Sequence, residues 1–209
     1  AMNWLIRIMS GKKFACGGAY YSREFVLTSA SCMHAYKDIL NDLIVEFFNS
    51  DADENEFSII SNMYVPKKYV FPGNNMDIAV IKLLTPMPDE NYDYVTLCKK
   101  PLLDYAKVTV VACGTSKSKV TLHQSQLLNQ NQCQSHFNDE VRPKTIGCTK
   151  QRRKDQRSKF RTCARNFGCP ILTSENELCG IVVAGPECNN PRLPSFFTDI
   201  YQVKSFIEK

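Results

Sequence analysis

The sequence predicts an all-β protein, a sandwich or a pair of barrels, finished by one C-terminal helix. Three observations carry this. Short runs rich in β-branched and aromatic residues recur along all 209 residues, bounded by turn formers. Helical periodicity is convincing only at the very end. Ten cysteines occur without a CxxC pair, which favours disulfides over a zinc site.

In chain order the strand signals are WLIRIM (4–9), FVLTS (25–29), LIVEFF (43–48), FSIISNMYV (57–65) and IAVIKLL (78–84). KVTVVACG (107–114), CPILT (169–173) and LCGIVVAG (178–185) follow. Side chains of this kind fit a pleated, half-buried surface better than a helix. In DIYQVKSFIEK the apolar Ile200, Val203 and Ile207 fall on one helical face, and Asp199 is placed to cap it.

At 44% hydrophobic and 22% charged, the chain has the composition of one large domain or two small barrels sharing an interface. No apolar run approaches the roughly 20 residues that span a bilayer, so no membrane span is expected. Residues 1–9 lack the pattern of a signal peptide, and the start reads as a trimmed chain. Cysteine usage points to secretion, although no N-x-S/T sequon accompanies it. The histidines His34, His123 and His136 are not spaced as metal ligands, and no metal or other cofactor is expected.

The net charge of +5 is concentrated in one place. Residues 150–161, KQRRKDQRSKFR, hold Lys150, Arg152, Arg153, Lys154, Arg157, Lys159 and Arg161 against Asp155, an excess of +6. The remainder sums to −1.

Four segments, in order, resemble the trypsin/chymotrypsin-like serine proteases. FACGGAYYSREFVLTSASC (14–32) is similar to the family's segment bearing the catalytic histidine between bridged cysteines. NNMDIAVIKL (74–83) is similar to the segment bearing the aspartate, and CARNFGCPIL (163–172) stands where the family has its serine loop. CGIVVAGPEC (179–188), followed by PSFFTDIYQVKSFI (194–207), resembles the strand lining the specificity pocket and then the closing helix. The resemblance covers essentially the whole chain. It implies two six-stranded antiparallel β-barrels in one serine-protease-like domain. The N-terminal barrel would lie within about 1–95, the C-terminal barrel within about 105–196, and the helix at 199–209.

Carried across residue by residue, the resemblance puts Ser31 at the histidine position, Asp77 at the aspartate position and Phe167 at the serine position. Acyl transfer requires an oxygen nucleophile and a base to take its proton. Phe167 supplies no nucleophile, and an alcohol is no base near neutral pH. Losing one such group costs about four to six decades in rate. Arg165 replaces a glycine that shapes the oxyanion hole. Asn166 replaces the aspartate that pairs with the new amino terminus after zymogen cleavage, and an amide cannot make that ion pair. Arg161 falls at the pocket floor, while Val183 and Ala184, followed by Gly185, replace the usual serine and tryptophan. The reading is a pseudoprotease, not an enzyme. Asp77 is expected to be structural, accepting bonds from the backbone near Ala30 and Ser31 or from the Ser31 hydroxyl. His34 lies three residues too late to replace the base and is expected at the surface. His123 and His136 are expected in exposed segments.

The resemblance also implies three bridges, Cys16–Cys32, Cys133–Cys148 and Cys163–Cys188. A fourth family bridge is absent as a pair, with Val108 and Thr173 in its positions. Cys98 resembles a cysteine that tethers an upstream segment, and is expected to be accessible and bonded to a partner before residue 1. For Cys113, Cys169 and Cys179 three arrangements stay open: a Cys113–Cys169 bridge, a Cys169–Cys179 hairpin bridge, or buried free thiols, the last being the default. With no histidine near it, Cys169 is not expected to act as a substitute nucleophile.

The segment 150–161 reads either as a solvated loop or as a contact for a polyanion such as sulfated glycosaminoglycan, acidic protein or anionic membrane. Nucleic acid is the less expected polyanion for a secreted protein. Asp51, Asp53, Glu54 and Glu56 sit near a place where some family members bind calcium, but acidic surface loops are common and a solvated loop is expected. The function expected is a secreted binding module: a cofactor, scaffold or decoy for an active protease or its substrate. The alternatives are a polyanion-binding protein and a hydrolase with rearranged chemistry through Cys169.

Overall fold

A computed structural model describes residues 2–48, 56–88, 91–114, 120–137, 140–150, 166–185 and 193–209. The first half of the chain supplies β1 (Leu5–Ser10), β2 (Lys13–Ser22), β3 (Phe25–Thr28), β4 (Leu43–Phe47), β5 (Phe57–Tyr64) and β6 (Ala79–Leu83). These close a barrel in the order β1-β2-β3-β6-β5-β4, antiparallel throughout. Ser10 pairs with Lys13 across a two-residue turn, where Gly11 takes φ +61. That left-handed conformation suits glycine and matches the twist of the strands it joins. On β4 the pattern is strictly alternating, with Leu43, Val45 and Phe47 buried in the barrel.

The second half supplies β7 (Thr96–Leu97), β8 (Lys107–Ala112), β9 (Thr121–Leu127), β10 (Ile146–Lys150), β11 (Pro170–Leu172), β12 (Glu177–Val183) and β13 (Ser195–Asp199). The order β11-β8-β9-β10-β13-β12 closes into a second six-stranded barrel through β11–β12 pairing, and β7 adds to β12 in parallel. β2, β7, β9, β10 and β13 are not among the strand signals, and for β9 and β10 a physical reason is visible. On β9 the buried positions are Ser125 and Leu127, and Leu122, the other apolar residue of the strand, is exposed. On β10 a Cβ at Gly147 would lie 2.3 Å from the Phe197 ring, so bulk from β13 fills the space a side chain would take.

Three α-helices lie among the described residues. In α1 (Ala30–Met33) the Ser29 side chain accepts from the Cys32 amide. In α2 (Gln130–Gln134) Asn129 and Gln132 form a reciprocal capping box, which satisfies two otherwise orphaned donors. The closing helix α3 (Ile200–Ile207) is capped by Asp199, whose Oδ1 accepts from the Tyr201 amide at 3.1 Å. It buries Ile200, Val203 and Ile207, the face its periodicity specified. No helix among the described residues is long and apolar enough to cross a membrane.

Four disulfides are formed among the described residues. Cys16–Cys32 and Cys133–Cys148 pair as the resemblance implies, while Cys163 and Cys188 lie outside the described residues. Cys98 corrects its expectation: it is 2% exposed and bonded to Cys179 within this chain. The parallel pairing of β7 with β12 sets Leu97 beside Leu178, which carries the next residues of each strand to a Cα separation of 4.8 Å. Cys113 and Cys169 likewise form a bridge rather than remaining thiols. Pairing of β8 with β11 brings their ends together, at a Cα separation of 5.9 Å.

Candidate functional site

The loop entering β6 carries Asp77 to the junction of the barrels and is pinned from the second barrel. Thr145 Oγ1 accepts from the Met76 amide at 2.9 Å, and Thr198 Oγ1 donates to the Asp77 carbonyl at 2.8 Å. Met76 adopts φ +58, an uncommon conformation for a residue with a side chain, held here by contacts on both sides. Asp77 itself is 1% exposed.

Both oxygens of its carboxylate are hydrogen-bonded. Oδ1 accepts from the Ser31 amide at 2.7 Å and from Ser29 Oγ at 2.9 Å, and Oδ2 accepts from Ser31 Oγ at 2.5 Å. The two serine hydroxyls stand 2.9 Å apart. Burial pushes the Asp77 carboxyl above the usual range, and the bonds from Ser31, Ser29 and the Ala30 backbone oppose it. The Tyr69 hydroxyl lies buried over Ser31 without completing a well-formed hydrogen bond. Burial first, and then the Asp77 charge, push that phenol up to about 12. It therefore stays neutral at any physiological pH. Ser29 serves Asp77 and also caps α1, a role the sequence reading did not assign.

Phe167 lies across the junction. Its carbonyl accepts from the Gly17 amide at 2.8 Å, and its side chain packs against the core of the second barrel around Val110, Val182 and Phe197. Asn166 is buried beside it, its Oδ1 accepting from the Gly114 amide at 3.3 Å. Arg161 and Arg165 lie outside the described residues, as do Asp51, Asp53 and Glu54 and the cations Arg152, Arg153, Lys154, Arg157 and Lys159. Lys150 ends β10. Val183 is buried at the end of β12, and Ala184 and Gly185 continue from it. Ala184 and Gly185, but not Val183, line a groove with Asn74, His136, Leu193 and Phe196, and Phe137 stacks on Phe196 at 4.7 Å.

All three histidines are of intermediate exposure, His123 within an exposed stretch of β9. His34 is half-buried and stacked on Phe71, ring centres 3.8 Å apart. His136 is half-buried in the groove. His123 pairs with Thr121 Oγ1 at 2.8 Å, and burial lowers its pKa. Cys169 is 0% exposed and bonded to Cys113, so it has no thiol to offer as a nucleophile. Among the described residues one acid–cysteine cluster has metal-ligand proximity: Cys98, Glu177 and Cys179. Its two sulfurs are bonded to each other, and Glu177 Oε1 accepts from the Lys99 amide.

A family model described as Trypsin matches residues 1–207. Hypodermin-B of Hypoderma lineatum is 27% identical over 216 residues, covering 98% of this chain and 80% of that protein. Trypsin of Sarcophaga bullata is 28% identical, with 93% of this chain and 78% of that one covered. Seminase of Drosophila melanogaster is 24% identical over 99% of this chain and 76% of its own length. Among solved structures, kallikrein-related peptidase 10 superposes with a TM-score of 0.79 at 20% identity, covering 100% of this chain and 94% of that one. That likeness is one of fold.

Proposed function

The chain belongs to the trypsin family, and from that premise we propose that it is a member without catalysis. It is a secreted protein that uses the protease fold as a binding module, a cofactor or decoy in an extracellular protease cascade. One observation carries the reading: the Asp77 carboxylate is bonded to Ser29 and Ser31, and no histidine among the described residues bonds to it. Serine hydroxyls cannot take a proton from a nucleophile near neutral pH, and Phe167 has no nucleophilic atom. The four disulfides support an oxidising compartment, where such bonds persist. The partner proposed is a protein, an active protease or its substrate, and the groove along Ala184 and Gly185 is one face open to it.

The test is a fluorophosphonate probe together with a panel of peptide substrates. Neither labelling nor turnover is expected. Stoichiometric labelling accompanied by hydrolysis overturns the reading.

A second reading is favoured by the charge distribution, an excess of +6 within residues 150–161 of a chain totalling +5. It makes the protein a binder of sulfated polysaccharide. Neutralising Arg152, Arg153, Lys154 and Arg157 would then weaken heparin binding with little change in melting temperature. By analogy with phosphate contacts, loss of four ionic contacts flattens the log–log salt dependence by about 3 units. An unchanged elution salt returns the segment to a solvated loop.

A further inference from the structure

Two glycines pass each other where the barrels meet. Gly17 of β2 donates its amide to the Phe167 carbonyl, and Thr28 Oγ1 donates to the Gly17 carbonyl at 2.7 Å. A Cβ on Gly17 would lie 2.3 Å from Cys113 Sγ and 2.7 Å from Cys169 Sγ. A Cβ on Gly168, which adopts φ +85, would lie 2.3 Å from the Gly17 carbonyl oxygen. Neither backbone could approach the other with a side chain present. The Cys113–Cys169 bridge therefore rests directly on the backbone of the first barrel.

The same bridge is gripped from its other end. Arg7 of β1 donates Nε to the Cys113 carbonyl at 2.8 Å, and its Nη1 pairs with Glu46 at 3.1 Å. Within the second barrel the turn 166–169 is tied by the Gly168 amide to Val182 O at 2.8 Å and the Cys169 amide to Asn166 O at 3.0 Å. Asn166 occupies the place where the resemblance sets an aspartate awaiting an ammonium. Its amide oxygen already accepts from Gly114, and it has no charge with which to compensate a buried cation.

We propose that the Cys113–Cys169 bridge, seated on Gly17, is the lock that sets the turn bearing Phe167. The turn and the face it presents are then in place once the bridge forms, with no ammonium supplied by a cut chain terminus. A covalent link supplies the fixing that an ion pair would otherwise supply, and it does so without dependence on pH or salt. This holds whether or not the chain hydrolyses anything.

Native-state hydrogen exchange tests it at the amides of Gly168, Cys169 and Val182. The Cys113→Ser/Cys169→Ser variant is expected to lose about tenfold or more protection at these amides while β4 and β5 keep theirs. Mild reduction of the intact protein, with the opened bridge identified by alkylation and peptide mapping, is expected to cause the same local loss when Cys113–Cys169 opens, and it decides the matter if the variant does not fold. The proposal is overturned if these amides keep full protection with that bridge absent or opened.

Discussion

Ser31 Oγ donates to Asp77 Oδ2 at 2.5 Å, tying the first turn of α1 to the loop that enters β6. With Ser29 Oγ and the Ser31 amide on Oδ1, every strong acceptor direction that faces α1 is used within the protein. The residue's backbone carbonyl in turn accepts from Thr198 of β13, so Asp77 also ties the two barrels together. Buried donors of this kind are costly once their acceptor is removed.

Asp77→Ala should therefore destabilise the protein by about 2 to 4 kcal/mol, since it strands several buried donors at once. Asp77→Asn keeps the shape and Oδ1, and the Ser31 hydroxyl can rotate to accept from the new amide, so its cost should be clearly smaller. Urea denaturation of both variants measures the difference. Equal costs would mean that the hydrogen bonds to Asp77 contribute little.

On the proposed non-catalytic reading, Ser31→His/Phe167→Ser should not confer peptide hydrolysis. In Ser31→His/Phe167→Ser the buried Asn166 remains an amide bonded to Gly114, and Arg165 still stands in place of a glycine. Preorganised donors for an oxyanion account for about two to three decades on their own, and these substitutions leave that part unrepaired. Robust peptide hydrolysis by the double variant would refute the expectation.

Cys98 and Cys179 close a loop of sequence separation 81. Non-reducing peptide mapping should recover them on one linked peptide. Replacing both by alanine should lower stability by about 4 kcal/mol on the loop-closure account. Recovery of Cys98 as a free or externally bonded thiol would contradict the pairing.

Asp199 makes stability depend on pH. Burial raises its carboxyl from 3.8 to about 6, against opposing backbone bonds from Gln202 and Tyr201 and the charge of Arg142. The folded chain thus holds this proton more tightly than the unfolded chain does. The resulting stability is complete below the unfolded value and is lost as pH rises toward about 6. Asp199→Asn still caps α3, so it should flatten the curve between about pH 4 and 6 and gain on the order of 2 kcal/mol at pH 7. Denaturation midpoints across that range provide the check, and parallel curves for the two proteins would count against it.

Read without coordinates, the chain already specified strands such as β4, where burial alternates residue by residue, and α3, whose cap and apolar face are local features. It also placed Ser31, Asp77 and Phe167 in their segments, because the residues flanking them keep a recognisable order. What it left open depended on neighbours distant in sequence. β9 and β10 carry weak patterns because Phe197 fills the space over Gly147 and Ser125 occupies an inward position. Cysteine pairing followed from strand register, the parallel β7–β12 contact for Cys98 and the β8–β11 contact for Cys113, which no spacing along the chain encodes. Ser29's double role and the passage of Gly17 against Gly168 depend on backbones brought together by barrel closure. Periodicity and capping act within a few residues and can be read from the chain. Register, close approach and hydrogen-bond saturation arise between segments, and only the tertiary structure decided them.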